Sequence, residues 1–366
     1  MTQRRIIISG GGTGGHLYPA LVVGGKLREM DAAVELTYVG THRDVEKKIM
    51  DEHGVRFVPM KIEGLKGRGL RSLKAMALLP FAFAQSFIVL RRTRPGLVIG
   101  VGGYSSGPIV LLASRLGIPT LVLEQNSRPG FTNRLLSRWV DRAVVAFPSS
   151  LPYFRGKGIC LGNPVREEFY SLPAKPRGAT LSVLVFGGSQ GSRFLNQRIT
   201  AALPHLAAVK DRFRFVHQTG PADLEWVAAK YREHGFDPSG AAAYISDMPA
   251  AFGRADLVVC RSGATTLAEL IAARKASLLV PFAGASEDHQ TGNARELERA
   301  GAAEVVPEML FTPEIAAGRL FHYLTYPDRL DAMEKALLSL RIDNPAAEIA
   351  GLCLSLMEGR AREKHS

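Results

Sequence analysis

The chain has 366 residues, of which 46% are hydrophobic and 22% are charged. This length favours two domains over one, and the composition excludes disorder, collagen-like repeats and a coiled coil. The three cysteines, Cys160, Cys260 and Cys353, are too far apart to indicate a disulfide framework or a thiolate metal site. The first ten residues lack the apolar run of a signal peptide, so we expect a reducing, cytoplasmic environment.

Positive charge is concentrated in the first half of the chain. Residues 1–163 contain 23 Lys and Arg against 10 Asp and Glu, whereas residues 164–366 contain 23 against 24. The net charge of the whole chain is +12. This asymmetry predicts a polyanionic partner for the first half only: nucleic acid, an anionic membrane surface or a phosphorylated substrate.

Short β-rich runs alternate with segments of helical period along the chain. In the first half, strands are predicted at 5–9, 35–39, 56–58, 97–101, 120–123 and 143–147, and helices near 16–30, 45–53, 73–92, 108–116 and 131–139. In the second half, strands are predicted at 181–186, 213–217, 243–245, 257–260, 278–281 and 304–306, with helices between them. This alternation predicts the α/β class with doubly wound parallel sheets.

The two halves begin alike, with a strand, a glycine-rich turn and a helix. The first reads RIIISGGGTGG and the second SVLVFGGSQG. We therefore predict two Rossmann-like domains, 1–162 and 163–341, joined by a Gly- and Pro-containing hinge near 161–166. Residues 342–366 are expected to form a helix that packs back on the first domain. Because ligands of such sheets bind beyond the carboxyl ends of the strands, we expect the domains to face each other across one cleft.

The first glycine cluster, residues 10–15, follows a strand and opens a helix. Its backbone N–H groups and the helix N-terminus suit a phosphate or diphosphate. The second strand ends without the acid that would hold the ribose of a nicotinamide cofactor, which disfavours a dehydrogenase. His16 follows the cluster, where the helix N-terminus favours the neutral imidazole that a general base needs. A histidine that only packs against the turn is the alternative.

Two further clusters, 100–108 and 187–191, also stand between a strand and a helix. Three such turns predict one extended ligand, or two ligands, rich in phosphate. The segment 261–269 starts another helix, whose first-turn amides could bind phosphate; Glu269 either reaches a sugar hydroxyl or lies on a solvated helix face. The polar loop at 281–294 suits sugar hydroxyls. We expect no metal site, because His289 has no neighbouring ligand and the chain contains no Asp-x-Asp.

Residues 68–94 combine an apolar core with flanking positive charge. The core at 75–90 is too short, and too interrupted by Pro80 and Gln85, to span a bilayer. Basic residues flank it on both sides: Lys66, Arg68, Arg71, Lys74, Arg91, Arg92 and Arg94. This pattern is typical of a surface that lies on anionic lipid, with a buried core helix as the alternative. Since no nucleic-acid-binding motif is present, we expect no nucleic-acid partner.

Seven motifs, in order along nearly the whole chain, resemble the MurG family of bacterial N-acetylglucosaminyltransferases. They are GGGTGGHxxPA at 10–20, GGYxSGP at 102–108, EQN at 124–126, GNPVR at 162–166, GGSQG at 187–191, RSGA at 261–264 and DHQxxNA at 288–294. The resemblance implies the two-domain GT-B glycosyltransferase fold. It also implies an enzyme, a hexosyltransferase that requires no cofactor.

The reaction implied by the resemblance is the transfer of N-acetylglucosamine from UDP-N-acetylglucosamine to lipid I, an undecaprenyl-diphosphate-linked acceptor. Attack by the C4 hydroxyl of the muramyl sugar would invert the anomeric centre and give lipid II for peptidoglycan. The resemblance therefore connects the chain with cell-wall biogenesis, cell shape and cell division. It places the protein peripherally at the cytoplasmic face of the cell membrane.

The resemblance also implies roles for individual residues. His16 is the expected base, with Glu124 as the second candidate. The loops for the acceptor diphosphate contain Gly12, Gly103, Tyr104, Ser105 and Ser106. The residues near the transferred sugar or the acceptor are Thr13, Gly14, Gly15 and Asn126. The residues that hold the nucleotide sugar are Arg166, Ser189, Ile245, Ala264, Thr265, Thr266, Leu267, Ala268, Glu269 and Gln290.

Within the nucleotide-sugar site, Ile245 is expected to present its backbone to uracil and Glu269 to contact the ribose. Helix N-termini, Ser189 and either Arg166 or Arg261 would stabilise the charge that grows on the leaving UDP. The alternatives are a related GT-B glycosyltransferase or UDP-sugar epimerase with a different acceptor, and a nucleotide-sugar-binding protein without turnover. Such a binding protein would hold UDP but release none when acceptor is added.

Overall fold

The computed structural model describes residues 4–11, 14–42, 44–62, 70–188 and 190–363. The chain divides into two compact units. Unit 1 comprises Met1–Val165 and Asn344–Ser366, and unit 2 comprises Arg166–Asp343. Each unit is an α/β structure built on its own parallel sheet.

Unit 1 contains seven strands in its described part. Its elements are β1 (Arg4–Ser9), α1 (Gly14–Met30), β2 (Val34–Thr41), α2 (Asp44–Glu52), β3 (Arg56–Met60), α3 (Leu70–Thr93), β4 (Leu97–Gly100), α4 (Ser106–Arg115), β5 (Thr120–Glu124), α5 (Phe131–Leu136), β6 (Arg142–Val145) and β7 (Gly158–Cys160). The strand order is β3-β2-β1-β4-β5-β6-β7, and all pairs are parallel. The order reverses direction at β1 and β4, where ligands of such sheets bind.

Unit 2 repeats this topology with six strands in the residues described. Its elements are β8 (Leu181–Phe186), α6 (Arg193–Ala202), β9 (Phe213–Gln218), α7 (Leu224–Glu233), β10 (Ala241–Ala242), α8 (Met248–Arg254), β11 (Leu257–Cys260), α9 (Ala264–Ala273), β12 (Ser277–Leu279), α10 (His289–Arg299), β13 (Glu304–Val305), α11 (Pro313–Thr325) and α12 (Asp328–Leu340). The parallel strands are ordered β10-β9-β8-β11-β12-β13.

The last helix, α13 (Pro345–Glu363), returns to unit 1 and packs against α1 and β4. Ile349 and Cys353 of α13 are fully buried in the same core cluster as Ile6 and Ile8 of β1. Ile7 points to the opposite face of the sheet, where it joins the core formed with α3 and α4. The near-continuous apolar sequence of β1 is thus explained, because both faces of a parallel sheet are covered by helices.

Two details differ from the strand predictions. The predicted strand at 243–245 is wrong: β10 covers only Ala241–Ala242, because its partner β9 ends at Gln218, which pairs with Ala242. Ile245 consequently lies in the loop beyond the strand. The short edge strand β7 was not predicted. The three cysteines are all free thiols.

Candidate functional site

Two glycine-rich loops meet at the carboxyl edge of the first sheet. One lies between β1 and α1 and the other between β4 and α4. Gly103 has a φ of +79°, and a Cβ atom placed on it would overlap the carbonyl oxygen of Gly11. Only glycine therefore allows this approach. Gly14 and Gly15 form the start of α1, whereas the predicted site residues Gly12 and Thr13 lie outside the described residues.

The loop after β4 turns its hydroxyl groups inward. Ser105 and Ser106 are fully buried, and the Ser106 hydroxyl donates to the carbonyl of Gly103 at 2.9 Å. The carbonyl of Ser105 accepts a hydrogen bond of 3.2 Å from the hydroxyl of Ser9. Gly103 and Tyr104 are partly exposed. The side chains of the two serines thus line the protein interior, so either serine could contact an anion only through its backbone. Their place at the acceptor diphosphate stays a prediction.

His16 lies in the first turns of α1 and is partly buried. Its Nδ1 atom lies 3.1 Å from Oε1 of Gln125, a buried residue that directly follows β5. The ring also packs against Gly102, since a Cβ atom on that glycine would lie 2.9 Å from Cε1 of His16. Gln125 belongs to one of the sequence motifs but was assigned no role there.

Glu124, the second candidate base, holds the loop that follows β5. Its carboxylate accepts hydrogen bonds from the backbone N–H groups of Asn126 at 2.9 Å and Gly130 at 3.0 Å. It also accepts from the side-chain amides of Asn126 at 3.1 Å and Asn133 at 2.9 Å. The residue is only 3% exposed. This geometry contradicts a role for Glu124 as a proton acceptor and explains instead how Asn126 is positioned.

A buried carboxylate that the sequence analysis did not single out supports the first glycine loop. Glu46 of α2 accepts from the backbone N–H and the hydroxyl of Thr41, both at 2.8 Å. A Cβ atom placed on Gly11 would lie 2.8 Å from its Oε1. Glu46 thus fixes the end of β2 beneath the loop. An acid in the first turn of a helix was the only sequence signal, and that pattern is too common to mark a site.

The third glycine loop, between β8 and α6, lies at the carboxyl edge of the second sheet. The Gly191 N–H donates to the carbonyl of Gly188 at 3.0 Å, which closes a tight turn. Ser189 lies outside the described residues. The hydroxyl of Ser192 caps α6 by accepting from the N–H of Leu195 at 3.4 Å.

One side chain connects this loop with Ile245. Gln218, at the end of β9, is 1% exposed. Its Nε2 atom donates to the carbonyl of Gly188 at 2.8 Å, and its Oε1 atom accepts from the backbone N–H of Ile245 at 2.8 Å. Because Gln218 uses the N–H of Ile245, the carbonyl of Ile245 is the group left to face a ligand. Nothing in the sequence marks Gln218 as a site residue, since a polar residue at the end of a strand is common.

A buried histidine next to Gln218 takes part in a hydrogen-bond network at the end of β9. Nε2 of His217 donates to Oδ1 of Asn196 at 2.9 Å, and Nδ1 accepts from the Tyr231 hydroxyl at 3.1 Å. Burial lowers the pKa of His217 to about 3, so the ring is neutral. The amide of Asn196 in turn donates to the carbonyl of Thr219 at 2.8 Å and to Asp223 at 2.9 Å. This network joins α6 to the end of β9.

Helix α9 begins directly after the loop that follows β11. Its N-cap residue, Gly263, has an extended conformation and provides no side-chain cap. Ala264, Thr265 and Thr266 are partly exposed in the first turn, whereas Leu267 and Ala268 are buried. The side chains of these last two residues belong to the core, so Leu267 and Ala268 could contact a nucleotide only through their backbone. Their place in the nucleotide-sugar site stays a prediction.

Glu269 lies one turn further along α9 and is partly buried. Burial raises the pKa of its carboxyl to about 7, and the guanidinium of Arg166 opposes part of that rise. Arg166 is exposed and lies over the ring of Phe169, 5.3 Å from its centroid. The structure thus brings together two residues that are 103 positions apart and that the sequence assigned to one nucleotide site.

Gln290, in the first turn of α10, is also oriented by its neighbours. Its Oε1 atom accepts from the backbone N–H groups of Phe282 at 2.9 Å and Ser262 at 3.3 Å. The hydroxyl of Ser262 donates to the carbonyl of Gln290 at 2.8 Å. With its oxygen engaged, the side chain can offer only its amide N–H groups to a ligand. The loops after β11 and β12 are thereby joined.

Arg261 has a structural role that the sequence did not indicate. Its buried guanidinium donates to Glu308 at 2.8 Å and to the carbonyls of Val280 at 3.1 Å and Pro281 at 3.3 Å. The expectation that Arg261 contacts the leaving diphosphate is therefore wrong, because its donors are used to hold together the loops after β11, β12 and β13. Arg166 remains the candidate cation.

Helix α3 presents apolar side chains to solvent as well as to the core. Ala82, Ser86 and Leu90 are buried, whereas Phe81, Phe87 and Ile88 are 47%, 45% and 48% exposed. Phe81 and Ile88 are seven residues apart and so share one face. Lys66 and Arg68, part of the predicted basic flank, lie outside the described residues. No helix in the described ranges is long and apolar enough to cross a membrane.

Comparisons with known proteins cover both units. Residues 6–145 match the glycosyltransferase family 28 N-terminal domain, and residues 182–350 match the glycosyltransferase family 28 C-terminal domain. Two relatives carry the name UDP-N-acetylglucosamine--N-acetylmuramyl-(pentapeptide) pyrophosphoryl-undecaprenol N-acetylglucosamine transferase. The chain is 44% identical to that of Myxococcus xanthus, over 96% of this chain and 93% of the relative. It is 43% identical to that of Syntrophus aciditrophicus, over 96% of this chain and 99% of the relative.

Among solved structures, the crystal structure of MurG from Acinetobacter baumannii is similar to this chain. The TM-score is 0.80 at 28% sequence identity, and the match covers 96% of this chain and 99% of the other. The similarity thus extends over both units rather than over one conserved domain.

Proposed function

We propose a function from the premise that the chain belongs to glycosyltransferase family 28. The enzyme transfers N-acetylglucosamine from UDP-N-acetylglucosamine to the muramyl C4 hydroxyl of lipid I, with inversion at the anomeric carbon, and forms lipid II. The names of its relatives state the donor, the acceptor and the transferred sugar. Attack by the C4 hydroxyl and inversion at the anomeric carbon are part of the proposal.

One observation carries this proposal: four of the segments expected at the nucleotide sugar follow carboxyl ends of parallel strands in unit 2. The third glycine loop follows β8, Ile245 follows β10, the start of α9 follows β11 and Gln290 follows β12. In a parallel sheet, these ends lie on one edge, which is where such folds bind ligands. Chain segments far apart in sequence are therefore assembled at one place.

The donor is held by unit 2. The carbonyl of Ile245 accepts from N3–H of uracil, and the ionised Glu269 accepts from the ribose hydroxyls. The diphosphate lies against the N-termini of α6 and α9, whose partial positive charge favours an anion, and against Arg166. The amide N–H groups of Gln290 donate to hydroxyls of the transferred sugar. The negative charge on departing UDP is thus stabilised without a cofactor.

The acceptor is held by unit 1. Its diphosphate lies against the loop at Gly103 and Tyr104, with the N-terminus of α4 behind it. In the reaction, the C4 oxygen bonds to the anomeric carbon, and the bond from that carbon to the β-phosphate oxygen breaks with its electron pair. His16 accepts the proton that the C4 hydroxyl loses. Asn126, fixed by Glu124, orients the acceptor sugar.

The undecaprenyl chain of the acceptor requires the protein to work at a membrane. We assign membrane contact to the outer face of α3, where Phe81, Phe87 and Ile88 are exposed. The charge excess of the first half of the chain favours anionic lipid. The protein therefore acts peripherally, at the cytoplasmic face where UDP-sugars are available.

The test is to incubate the protein with UDP-N-acetylglucosamine and a lipid I analogue. We expect stoichiometric UDP release and a disaccharide product with a β-linkage to C4 of the muramyl sugar, identified by NMR. Isomerised UDP-sugar without transfer would indicate an epimerase, and transfer only to a soluble acceptor would indicate a different glycosyltransferase. Tight UDP binding without release on adding acceptor would indicate a binding protein; each of these results would overturn the proposal.

A further inference from the structure

The amide of Gln125 is held in one orientation by the protein. Gln125 is 2% exposed, and its Nε2 atom donates to the carbonyls of Val101 at 3.3 Å and Leu123 at 3.4 Å. If the amide were turned over, its oxygen would face these two carbonyl oxygens, and three acceptors would be buried together without a donor. The nitrogen therefore points to the carbonyls, and the oxygen points to His16.

The orientation of Gln125 determines which nitrogen of His16 carries the proton. Nδ1 of His16 lies 3.1 Å from Oε1 of Gln125, and an amide oxygen can only accept. A neutral imidazole has one N–H, which must then be on Nδ1. We infer that Gln125 is a positioning residue that fixes His16 as the Nδ1–H tautomer, so that Nε2 is the atom that accepts the proton of the acceptor hydroxyl.

This inference rests on the proposed function, in which His16 is the base. It adds the atom that acts and the residue that selects it. The contact persists through proton transfer, because the imidazolium keeps its Nδ1–H and goes on donating to the same oxygen. The ring also lies close to Gly102, where a side chain would collide with it.

The choice of an amide rather than a carboxylate has a chemical consequence. A carboxylate at this position would stabilise the imidazolium and hold His16 protonated before substrate binds. A neutral oxygen sets the tautomer with little bias toward the charged form.

The direct test is the protonation pattern of His16 in the full-length protein. Long-range ¹H–¹⁵N correlation spectra of ¹⁵N-histidine-labelled protein, recorded above the titration range of the imidazole, distinguish a protonated from an unprotonated ring nitrogen. The His16 signals are assigned as those that disappear in His16→Ala. We expect Nδ1 to be protonated and Nε2 unprotonated. A wild-type spectrum with protonated Nε2 would overturn the inference without any variant.

Two variants then connect the tautomer with turnover. Gln125→Met keeps the length of the side chain but removes the acceptor, so His16 should move toward the Nε2–H tautomer that free imidazole side chains prefer. We expect kcat to fall at least about tenfold, with KM for both substrates within about twofold. Gln125→Glu restores an acceptor oxygen but adds a negative charge, so we expect a pH–rate profile displaced to higher pH. At pH values where the imidazole of that variant is neutral, we expect protonated Nδ1 and more activity than in Gln125→Met.

The control is Ser114→Ala, which removes a 2.7 Å hydrogen bond to the carbonyl of Trp139 in the same unit, away from the site. It should leave the His16 signals and kcat unchanged. A folded Gln125→Met with wild-type kcat would overturn the inference. If that variant fails to fold, the wild-type spectrum decides, and protonated Nε2 in it would overturn the inference.

The inference and the proposed function fail in different ways. If His16→Ala retains turnover within about tenfold of wild type, the role of His16 as base is wrong, whichever nitrogen is protonated. If wild-type protein releases no UDP with the lipid acceptor, the proposed function is wrong. If turnover is normal and depends on His16 but Nε2 carries the proton, only the role of Gln125 is wrong.

Discussion

Gln218 donates a hydrogen bond of 2.8 Å from its buried side-chain amide to the carbonyl of Gly188. Through its oxygen, the same amide accepts from the backbone of Ile245. One side chain thus sets the loop proposed for the diphosphate and the segment proposed for uracil. Without this hydrogen bond, the carbonyl of Gly188 could turn toward the ligand, where its oxygen would repel a diphosphate.

Substitutions of Gln218 can distinguish the contributions of its two hydrogen bonds. Gln218→Glu keeps an acceptor for Ile245 but loses the donor to Gly188. We expect uridine to bind within about twofold of wild type and UDP to bind up to about tenfold more weakly, as a hydrogen bond between neutral groups is worth about 0.5–1.5 kcal/mol. Gln218→Met should weaken both. Calorimetric titration measures these affinities, and Thr200→Val, which loses only a hydrogen bond within α6, is the control. Equal losses for uridine and UDP in Gln218→Glu would contradict the separation of roles.

His16→Ala removes the proposed base. We expect kcat to fall by about 10²–10⁴-fold, the range for general base catalysis, with little change in UDP affinity because the residue belongs to unit 1. Steady-state UDP release gives kcat, and calorimetry gives the affinity. A decrease in UDP affinity parallel to the loss of kcat would point to a folding defect instead.

Glu269 predicts a pH dependence of donor binding. Because the pKa of its carboxyl is raised to about 7, it is mainly ionised at pH 8 and mainly protonated at pH 6. The ionised form accepts from both ribose hydroxyls, so the affinity for UDP-N-acetylglucosamine, whose phosphates do not titrate here, should fall up to about tenfold from pH 8 to pH 6. Glu269→Gln should bind weakly at both pH values. A pH-independent affinity in wild type would exclude Glu269 as the ribose contact.

The raised pKa of Glu269 also makes the stability of the ligand-free protein depend on pH. The folded state binds the proton of Glu269 more tightly than the unfolded state, whose carboxyl has an ordinary pKa of 4.5. The stabilisation from this group is therefore present at low pH and is lost as the pH rises from about 4.5 through 7. Compared with wild type, Glu269→Gln should gain thermal stability at pH 8 and not at pH 4.5, as measured by circular dichroism.

We expect Arg261 to contribute mainly to the stability of unit 2. Arg261→Met leaves Glu308 without its ion-pair partner and two carbonyls without their donor, so we expect the free energy of unfolding to fall by about 2–3 kcal/mol in urea titrations. Arg193→Met is the matched control: Arg193 is exposed, its ion pair with Asp223 spans 3.8 Å, and its loss should cost less than about 1 kcal/mol. Unchanged stability in Arg261→Met would show that the loops after β11, β12 and β13 hold together without it.

The outer face of α3 predicts a specific loss of membrane binding. The triple variant Phe81→Ser, Phe87→Ser, Ile88→Ser removes three half-exposed apolar side chains, and we expect at least about tenfold weaker binding to phosphatidylglycerol vesicles. UDP affinity should not change. Phe321→Ser with Tyr326→Ser, which removes comparably exposed side chains from unit 2, should leave vesicle binding intact. Equal effects of both variants would argue against α3 as the contact surface.

The fold was predictable because its signals are local. Apolar runs such as Ile6–Ile8, each followed by a glycine-rich turn and a helical period, identify parallel strands without tertiary information. The two-residue strand β10 was misplaced because its end depends on where its neighbour β9 stops pairing. An edge strand this short has no pattern of its own.

The candidate site was predictable where backbone conformation demands a residue type, as at Gly103. The site was not predictable where the role of a side chain depends on its hydrogen bonds to other protein groups. Arg261 and Glu124 have the charge of functional residues, yet their hydrogen bonds are used within the protein, and nothing in their local sequence distinguishes the two cases. Gln125 and Gln218 lie next to motif residues, but their importance comes from partners more than 20 positions away in sequence.

Helix α13 gives the chain an unusual order of assembly. Unit 1 starts at the amino terminus, but Ile349, Ala350 and Cys353 complete its core after all of unit 2 has been made. During synthesis on the ribosome, the core on this face of the first sheet therefore stays incomplete, covered by α1 and α2 alone, until α13 is made. Deletion of the last turns of α13 would therefore destabilise unit 1, at the other end of the sequence, and not unit 2, which directly precedes the helix.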